Sequence, residues 1–146
     1  MLSGVFVGHK QMCREEIIAC LQKFDTCFDP PFSSSVDLTA YADKLFDNAS
    51  FIIAQMNESI VGMIAYYKNE EKRLLYVPYF VVDNNFQGFS LGTSLLKEME
   101  VQNVGRSDAI SLEVLKSNRQ AYSFYKHKGF RELEDRGAKF LMVKEL

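Results

Sequence analysis

The chain has 146 residues, a formal net charge of −2 and a sequence pI near 5.7. Hydrophobic residues make up 47% and charged residues 25%, which is typical of a soluble globular protein. We find no long basic stretch that favours nucleic acid as a partner, and no apolar run that is long enough to span a membrane. We therefore expect one domain over residues 1–146, without a signal peptide, in the cytoplasm.

The first half of the chain predicts two helices followed by a hairpin. Apolar residues at helical spacing predict a helix over residues 10–25, and the prolines and serines of 28–35 break it. A second helix is predicted over 37–48. Strands are then predicted over 50–55 and 59–67, with a turn between them.

The second half predicts strands that alternate with helices. The nearly continuous apolar run 74–83 predicts a central strand, in which Pro78 indicates a bulge or one-sided pairing. A strand over 109–115 and a helix over 118–128 follow, and the chain closes in a hairpin that turns near Arg136. This order predicts a mixed α/β domain with at least one crossover helix.

The cysteines are Cys13, Cys20 and Cys27, an odd number without a CxxC pair. They predict free thiols in a reducing compartment. Because they are spaced seven residues apart, we expect them as small buried residues on the inner face of the first helix, with a reactive thiol as the open alternative. His9 and His127 are the only histidines, so no metal site is expected.

The stretch NNFQGFSLGTSLL, residues 84–96, joins the predicted central strand to a helix. A helix amino terminus presents N–H groups and a positive dipole end, and a glycine loop before it favours an anion such as phosphate. A plain turn is the alternative. The stretch matches neither GxxxxGK[ST] nor GxGxxG, which disfavours a nucleoside-triphosphatase or dinucleotide site.

A second pattern lies downstream, in ISLEVLKSNRQAYSFYKHKGF, residues 110–130. Together the two stretches resemble the cofactor motifs of the GNAT superfamily of acetyl-CoA-dependent N-acetyltransferases. The first is similar to the family loop [Q/R]-x-x-G-x-[G/A] at residues 87–92. The second is similar to Leu-Glu-Val at 112–114 followed by N-x-x-A-x-x-[F/L]-Y-x-x-x-G-F at 118–130.

The loop departs from the family pattern at two positions. Ser90 stands where the family carries its middle glycine, and Gln87 stands where many members carry arginine. Ser90 adds a side chain where the pyrophosphate passes, although its hydroxyl can itself donate to phosphate.

The resemblance implies a fold of the α/β (α+β mixed) class. It implies a central, mixed and mostly antiparallel sheet of six to seven strands, flanked by about four helices, with splayed central strands at the cofactor site. The implied reaction is transfer of acetyl from acetyl-CoA to a primary amine of a small molecule, amino sugar or protein N-terminus, without a metal. A non-catalytic acetyl-CoA-binding regulatory module and a small interaction protein are the alternatives. Relatives often dimerise, so a homodimer stays open beside a monomer.

The resemblance also implies which residues bind the cofactor. The set is Phe80, Val81, Val82, Gln87, Gly88, Phe89, Ser90, Leu91, Gly92, Thr93, Asn118 and Tyr125. In the family the backbone of the loop holds the pyrophosphate, and the strand of residues 80–82 meets the pantetheine arm and the acetyl carbonyl. Residues 80–82 also suit a plain core strand, and Asn118 also suits a helix N-cap.

Two side chains are candidates for catalysis. The resemblance implies that Tyr125 is the general acid that protonates the departing thiolate, and a phenol can do so without an ionic partner. Glu113 is the candidate general base for the amine, directly or through water. Tyr125 as an aromatic core residue and Glu113 as a structural hydrogen-bond acceptor are the alternatives.

The acceptor site carries no motif. The segment 28–35 is either an aromatic and polar lip over that site or a plain connection between helices. If it is a lip, Asp29 or Asp37 is placed to hold an ammonium group.

Overall fold

The computed structural model describes residues 4–88 and 90–146. Within this part the chain forms seven strands and four helices, which are, in order, β1 Val5–His9, α1 Arg14–Lys23, α2 Leu38–Asn48, β2 Ser50–Met56, β3 Ser59–Asn69, β4 Leu74–Val82, α3 Leu91–Asn103, β5 Ala109–Leu115, α4 Arg119–His127, β6 Arg131–Asp135 and β7 Lys139–Glu145. Short 3₁₀ turns lie at Asp25–Cys27, Phe32–Ser34 and Asn84–Phe86. None of the helices in these ranges is long and apolar enough to cross a membrane.

The seven strands form one mixed sheet in the order β1-β2-β3-β4-β5-β7-β6. β4 and β5 are parallel, whereas β1–β2, β5–β7 and β6–β7 are antiparallel. α3 is the crossover that a parallel β4–β5 pair requires. The predicted mixed sheet with about four helices is therefore confirmed, and the splaying of its central strands stays a prediction.

The chain divides into two compact units. The first comprises the chain up to Ala65 together with Tyr79–Met99, and the second comprises Tyr66–Pro78 and Glu100–Leu146. The boundaries fall inside β3, β4 and α3. The single domain expected over residues 1–146 stays a prediction.

In the first unit, α1 and α2 pack through fully buried residues such as Ile17, Leu21 and Leu45. The amino-terminal part of α3 packs on β3 at Gly62, where an added Cβ would lie 3.0 Å from Leu95 Cδ1 and 3.3 Å from the carbonyl oxygen of Val81. The absent side chain at position 62 therefore lets α3 approach the sheet closely.

In the second unit, β5 pairs with β7 along its whole length, from Ala109 opposite Glu145 to Leu115 opposite Lys139. Lys144 donates to both carboxylate oxygens of Glu100 at 3.0–3.1 Å, which ties the end of α3 to β7. β6 is the outermost strand next to β7 and is exposed along its whole length.

The amino-terminal region differs from the prediction in three respects. β1 is a strand that we did not predict, and the first helix begins at Arg14 rather than at residue 10. Of the three cysteines, Cys20 is the one on the buried face of α1. Cys13 is the exposed N-cap of α1, and Cys27 lies in the 3₁₀ turn that follows the helix. Glu16 Oε1 accepts a hydrogen bond from Cys13 N at 3.1 Å, and this cap starts the helix there.

Candidate functional site

The loop that follows β4 is organised by side chains bonded to the backbone. The Asp83 carboxylate accepts from Asn85 N at 3.0 Å and caps the 3₁₀ turn. The Gln87 amide nitrogen donates to Val82 O at 3.3 Å and to Asn84 Oδ1 at 3.0 Å. Gln87 therefore closes the loop on itself, which is a structural use for a residue predicted to bind the cofactor.

Two residues in the left-handed region turn the chain into α3. Gly88 has φ +91° and Ser90 has φ +63°. Among the described residues, the first intrahelical bond of α3 runs from Ser94 N to Ser90 O at 3.0 Å, so the N–H groups of residues 91–93 form the open first turn of the helix there. Their donors and the positive end of the helix dipole suit an anion. Phe89, also predicted to bind the cofactor, lies outside the described residues.

The strand before the loop alternates between buried and half-buried positions. Val81 is buried, whereas Phe80 and Val82 are half-buried. Asp83 N donates to Val61 O at 2.8 Å, which extends the pairing of β3 and β4 to the start of the loop. Residues 80–82 therefore belong at least in part to a core strand, which is the alternative to a purely cofactor-binding role.

α4 is capped at both ends. The Asn118 side chain accepts from Ala121 N at 3.1 Å, so its predicted N-cap role is confirmed. At the other end Phe130 N donates to Tyr125 O at 3.0 Å and Gly129 N donates to Lys126 O at 3.1 Å. This bond pair, with Gly129 at φ +97°, is a Schellman motif.

The Schellman motif fixes the position of Tyr125. Its ring contacts Phe130, which is 2% exposed, at a centroid distance of 5.4 Å, and Phe124 at 5.5 Å. The motif spacing of tyrosine, glycine and phenylalanine thus has a local physical cause, since the residue after the glycine packs against the residue whose carbonyl it bonds. Burial raises the pKa of the Tyr125 phenol well above its ordinary value, which disfavours the charged phenolate at this position.

Glu113 is engaged by cations on both of its oxygens. Arg136 Nη1 donates to Oε2 at 3.1 Å, and Lys139 Nζ lies 3.8 Å from Oε1. The Tyr76 hydroxyl makes a long contact of 3.5 Å with Oε1. Burial raises the pKa of the Tyr76 phenol, and the neighbouring Glu113 charge acts in the same direction.

A separate aromatic cluster lies in the first unit and consists of Phe28, Phe32, Tyr41 and Tyr79. The Tyr79 ring lies 5.5 Å from that of Phe28, 5.3 Å from Phe32 and 6.5 Å from Tyr41. Tyr79 is 2% exposed, and among residues 4–88 and 90–146 its hydroxyl finds no hydrogen-bond partner. A buried hydroxyl left unpaired costs about 1–3 kcal/mol.

The segment 28–35 therefore folds inward through its two aromatic rings. The 3₁₀ turn Phe32–Ser34 of this segment is tied to the preceding turn by the Asp25 carboxylate, which accepts from Ser33 N at 2.6 Å and Ser33 Oγ at 2.7 Å. Asp37 accepts from Thr39 N and Ala40 N and so caps α2, which gives it a structural role, and the ammonium site considered for Asp29 or Asp37 stays a prediction.

The structure places the predicted residues in two groups. Residues 80–88 and 90–93 belong to the first unit, and Glu113, Asn118 and Tyr125 belong to the second. Sequence analysis missed Tyr79 and the two cations on Glu113. The period of two along β4 could have revealed Tyr79, because it places a phenol on the buried face of a strand.

Within the described part of the chain, no three His, Cys, Asp or Glu side chains are arranged to hold a metal.

The sequence matches the model of the acetyltransferase (GNAT) family over residues 17–130, which is most of the chain. The chain belongs to the GNAT acetyltransferase family. This match confirms the resemblance of the two motifs, and with it the assignment to the N-acetyltransferases of that family. A search among curated proteins gave no match to this acetyltransferase.

Solved structures share the fold of the acetyltransferase at low sequence identity. A protein from Pyrococcus horikoshii OT3 has a TM-score of 0.83 at 21% identity, covering 97% of this chain and 98% of its own. The PaiA N-acetyltransferase of Thermoplasma acidophilum, in complex with coenzyme A, has a TM-score of 0.79 at 15% identity, covering 97% and 99%. A GNAT acetyltransferase of Elizabethkingia anophelis with acetyl-CoA bound has a TM-score of 0.72 at 14% identity, covering 99% and 100%.

We predict that Ser90→Gly stabilises the acetyltransferase. A left-handed backbone disfavours serine by roughly 1–2 kcal/mol, and the greater freedom of glycine in the unfolded chain returns about 0.5–1 kcal/mol of this. Denaturant unfolding should therefore show a gain of about 0.5–1 kcal/mol. Ser90→Ala, which keeps the strained conformation, is the control and should show no gain. A loss of stability in Ser90→Gly would mean that the serine side chain contributes more than its conformation costs.

Proposed function

We propose that the protein transfers the acetyl group of acetyl-CoA to a primary amine by direct attack in a ternary complex. The observation that carries this proposal is the open first turn of α3, entered through two left-handed residues, in a chain of the GNAT family. The Thermoplasma protein is in complex with coenzyme A and the Elizabethkingia protein has acetyl-CoA bound, which supports the choice of cofactor.

In this proposal the N–H groups of residues 91–93 and the backbone of Gly88 and Ser90 hold the pyrophosphate. The contact is electrostatic and made by main-chain donors, so it does not need the arginine that many relatives carry at position 87. The strand segment Phe80, Val81 and Val82 offers backbone groups to the pantetheine arm and to the thioester carbonyl, where an oriented N–H stabilises the developing oxyanion.

The chemistry then needs one new bond and two proton transfers. The amine nitrogen bonds to the acetyl carbon and the carbon–sulfur bond breaks, giving an N-acetylated amine and coenzyme A. The thiolate takes a proton from the Tyr125 hydroxyl, and the resulting phenolate regains a proton from solvent before the next turnover. The amine gives its proton to a base or to water.

Glu113 is the candidate for that base, and its contacts argue for a different role. Both of its oxygens already accept from or lie beside a cation, Arg136 or Lys139. Fewer lone pairs are therefore open to a proton from the substrate. We propose that Glu113 mainly positions these two cations and that water or another group accepts the proton.

The proposed reaction suits three kinds of acceptor, which are a small-molecule amine, an amino sugar and a protein N-terminus. It is compatible with a homodimer and with a monomer. We propose the cytoplasm as the location, since the three cysteines are free thiols.

We predict that acetyl-CoA and coenzyme A stabilise the protein against heat, whereas NAD does not. Ligand at about a hundred times its Kd adds about 2.7 kcal/mol, which shifts Tm by roughly 5–10 °C in a domain of this size. Gly88→Ala should weaken this shift because its Cβ strains the loop at φ +91°.

Gly105→Ala is the matched control for this experiment. Gly105 also has a positive φ, +81°, and open space around a Cβ, but it lies outside the loop. Both variants should lose similar stability, and only Gly88→Ala should lose affinity for acetyl-CoA. Equal shifts in the two variants would argue against the loop as the cofactor site. Binding without turnover of any amine would instead favour the regulatory module.

We predict that Tyr125→Phe lowers kcat roughly 100-fold, the lower end of the range for a positioned acid, and leaves the Kd for acetyl-CoA nearly unchanged. Tyr122→Phe removes a hydroxyl from the same helix, one that bonds Glu132, and is the control. Steady-state kinetics at saturating acetyl-CoA measures both variants. Wild-type turnover in Tyr125→Phe would exclude it as the general acid.

We predict that Glu113→Gln lowers kcat by less than about tenfold, since a missing general base would cost about 100-fold or more. Glu134→Gln removes the other carboxylate that pairs with Arg136, at 3.1 Å, and is the matched control. Comparing the pH profiles of kcat separates the two roles. Loss of the acidic limb in Glu113→Gln alone would restore Glu113 as the base.

A further inference from the structure

We propose that the aromatic cluster of Phe28, Phe32, Tyr41 and Tyr79 binds the amine acceptor and selects a primary amine on a flat, apolar body. This inference rests on the proposed function. It names a substrate class, the arylalkylamines, and a residue that recognises the amine, Tyr79.

The first support is the Tyr79 hydroxyl. It is buried and unpaired among the described residues, although a phenylalanine would fill the same space without that polar atom. A ligand that hydrogen-bonds to this hydroxyl would explain why a polar atom is kept in a buried position. A phenol oxygen accepts an N–H bond, so an ammonium group is a suitable partner.

The second support is the set of rings around it. Phe28 and Phe32 lie 5.3 Å apart, and Phe32 meets Tyr41 edge-on at 4.9 Å. Rings grouped in this way attract a cation through their faces and an aromatic body through offset or edge contacts. The Asp25 carboxylate holds the covering segment through Ser33 and adds negative charge in the same unit.

The third support is position along the chain. Tyr79 directly precedes Phe80, Val81 and Val82, the segment proposed to meet the acetyl thioester. An amine held at Tyr79 is therefore next to the segment that is proposed to hold the thioester carbon that the amine attacks. The cover contains two short 3₁₀ turns, Asp25–Cys27 and Phe32–Ser34, which the Asp25–Ser33 hydrogen bonds hold together beside Tyr79.

The titratable groups that face Tyr79 agree with this use. Burial raises the pKa of its phenol, and Cys20, Cys27, Tyr41 and Asp25 act in the same direction. These groups lie on α1, on α2 and on the turn between them. These surroundings disfavour the phenolate, and the neutral phenol oxygen can accept from an ammonium group.

The test is the variant Tyr79→Phe with phenethylamine as the probe. Calorimetric titration of phenethylamine into the coenzyme-A-saturated protein should give a Kd roughly tenfold or more weaker in Tyr79→Phe than in wild type, the scale expected for a lost hydrogen bond to a charged group. The Kd for acetyl-CoA should be the same in both. The Tm of the variant should be equal or higher, because an unpaired polar atom is removed.

Turnover gives a second readout. Release of the coenzyme A thiol, measured with phenethylamine, spermidine and glucosamine, should be fastest with phenethylamine in wild type. Tyr79→Phe should raise its KM with a smaller change in kcat, and Tyr122→Phe should change neither. Phe28→Leu, which keeps the apolar volume and removes a ring, should also raise this KM.

The outcomes separate the two hypotheses. Equal Kd values for phenethylamine in wild type and Tyr79→Phe, or no binding to wild type, would overturn the aromatic acceptor site. Preference for spermidine or glucosamine would overturn it too, and would leave acetyl transfer intact. Absence of acetyl-CoA binding would instead overturn the proposed function.

Discussion

The alternation of β4 is the constraint on which both units depend. Its residues Leu75, Val77, Tyr79 and Val81 are all buried, and the residues between them are half-buried. A strand has a period of two, so a slip by one residue would expose every one of these side chains. The same register sets Tyr76 beside Glu113 in the second unit and Tyr79 in the aromatic cluster of the first. The packing of the core and the positions of both tyrosines are therefore consequences of one strand.

The candidate cofactor site depends on helix termini more than on side chains. α3 starts with open N–H groups after two left-handed residues, and α4 is bounded by Asn118 and by the Schellman motif at Gly129. Backbone donors are available to any sequence that can form the turn. Solved structures at 14–21% identity share the fold of this chain with TM-scores of 0.72–0.83. What the sequence must retain is a few residues that permit the backbone conformation.

Much of the fold could be predicted because local patterns and tertiary packing agree. The hairpins, the strand after each turn and the amino-terminal cap of α4 all follow from periodicity and capping residues. β1 escaped prediction because five residues give too short a pattern, and its pairing with β2 is distant in sequence. The cations on Glu113 escaped for the same reason, since Arg136 and Lys139 reach it only through the pairing of β5 with β7. Sequence reasoning found residues that lie within a motif and missed partners that the sheet brings together.

The outer edge of the sheet has a consequence for how the molecule meets other copies of itself. β6 is fully exposed, yet it carries Arg131, Glu132, Glu134 and Asp135, and its pairing with β7 is interrupted by a bulge between the two glutamates. Charged side chains and a bulge on an edge strand obstruct the addition of a further strand. These features of β6 therefore disfavour continuous growth of the sheet from molecule to molecule at this edge.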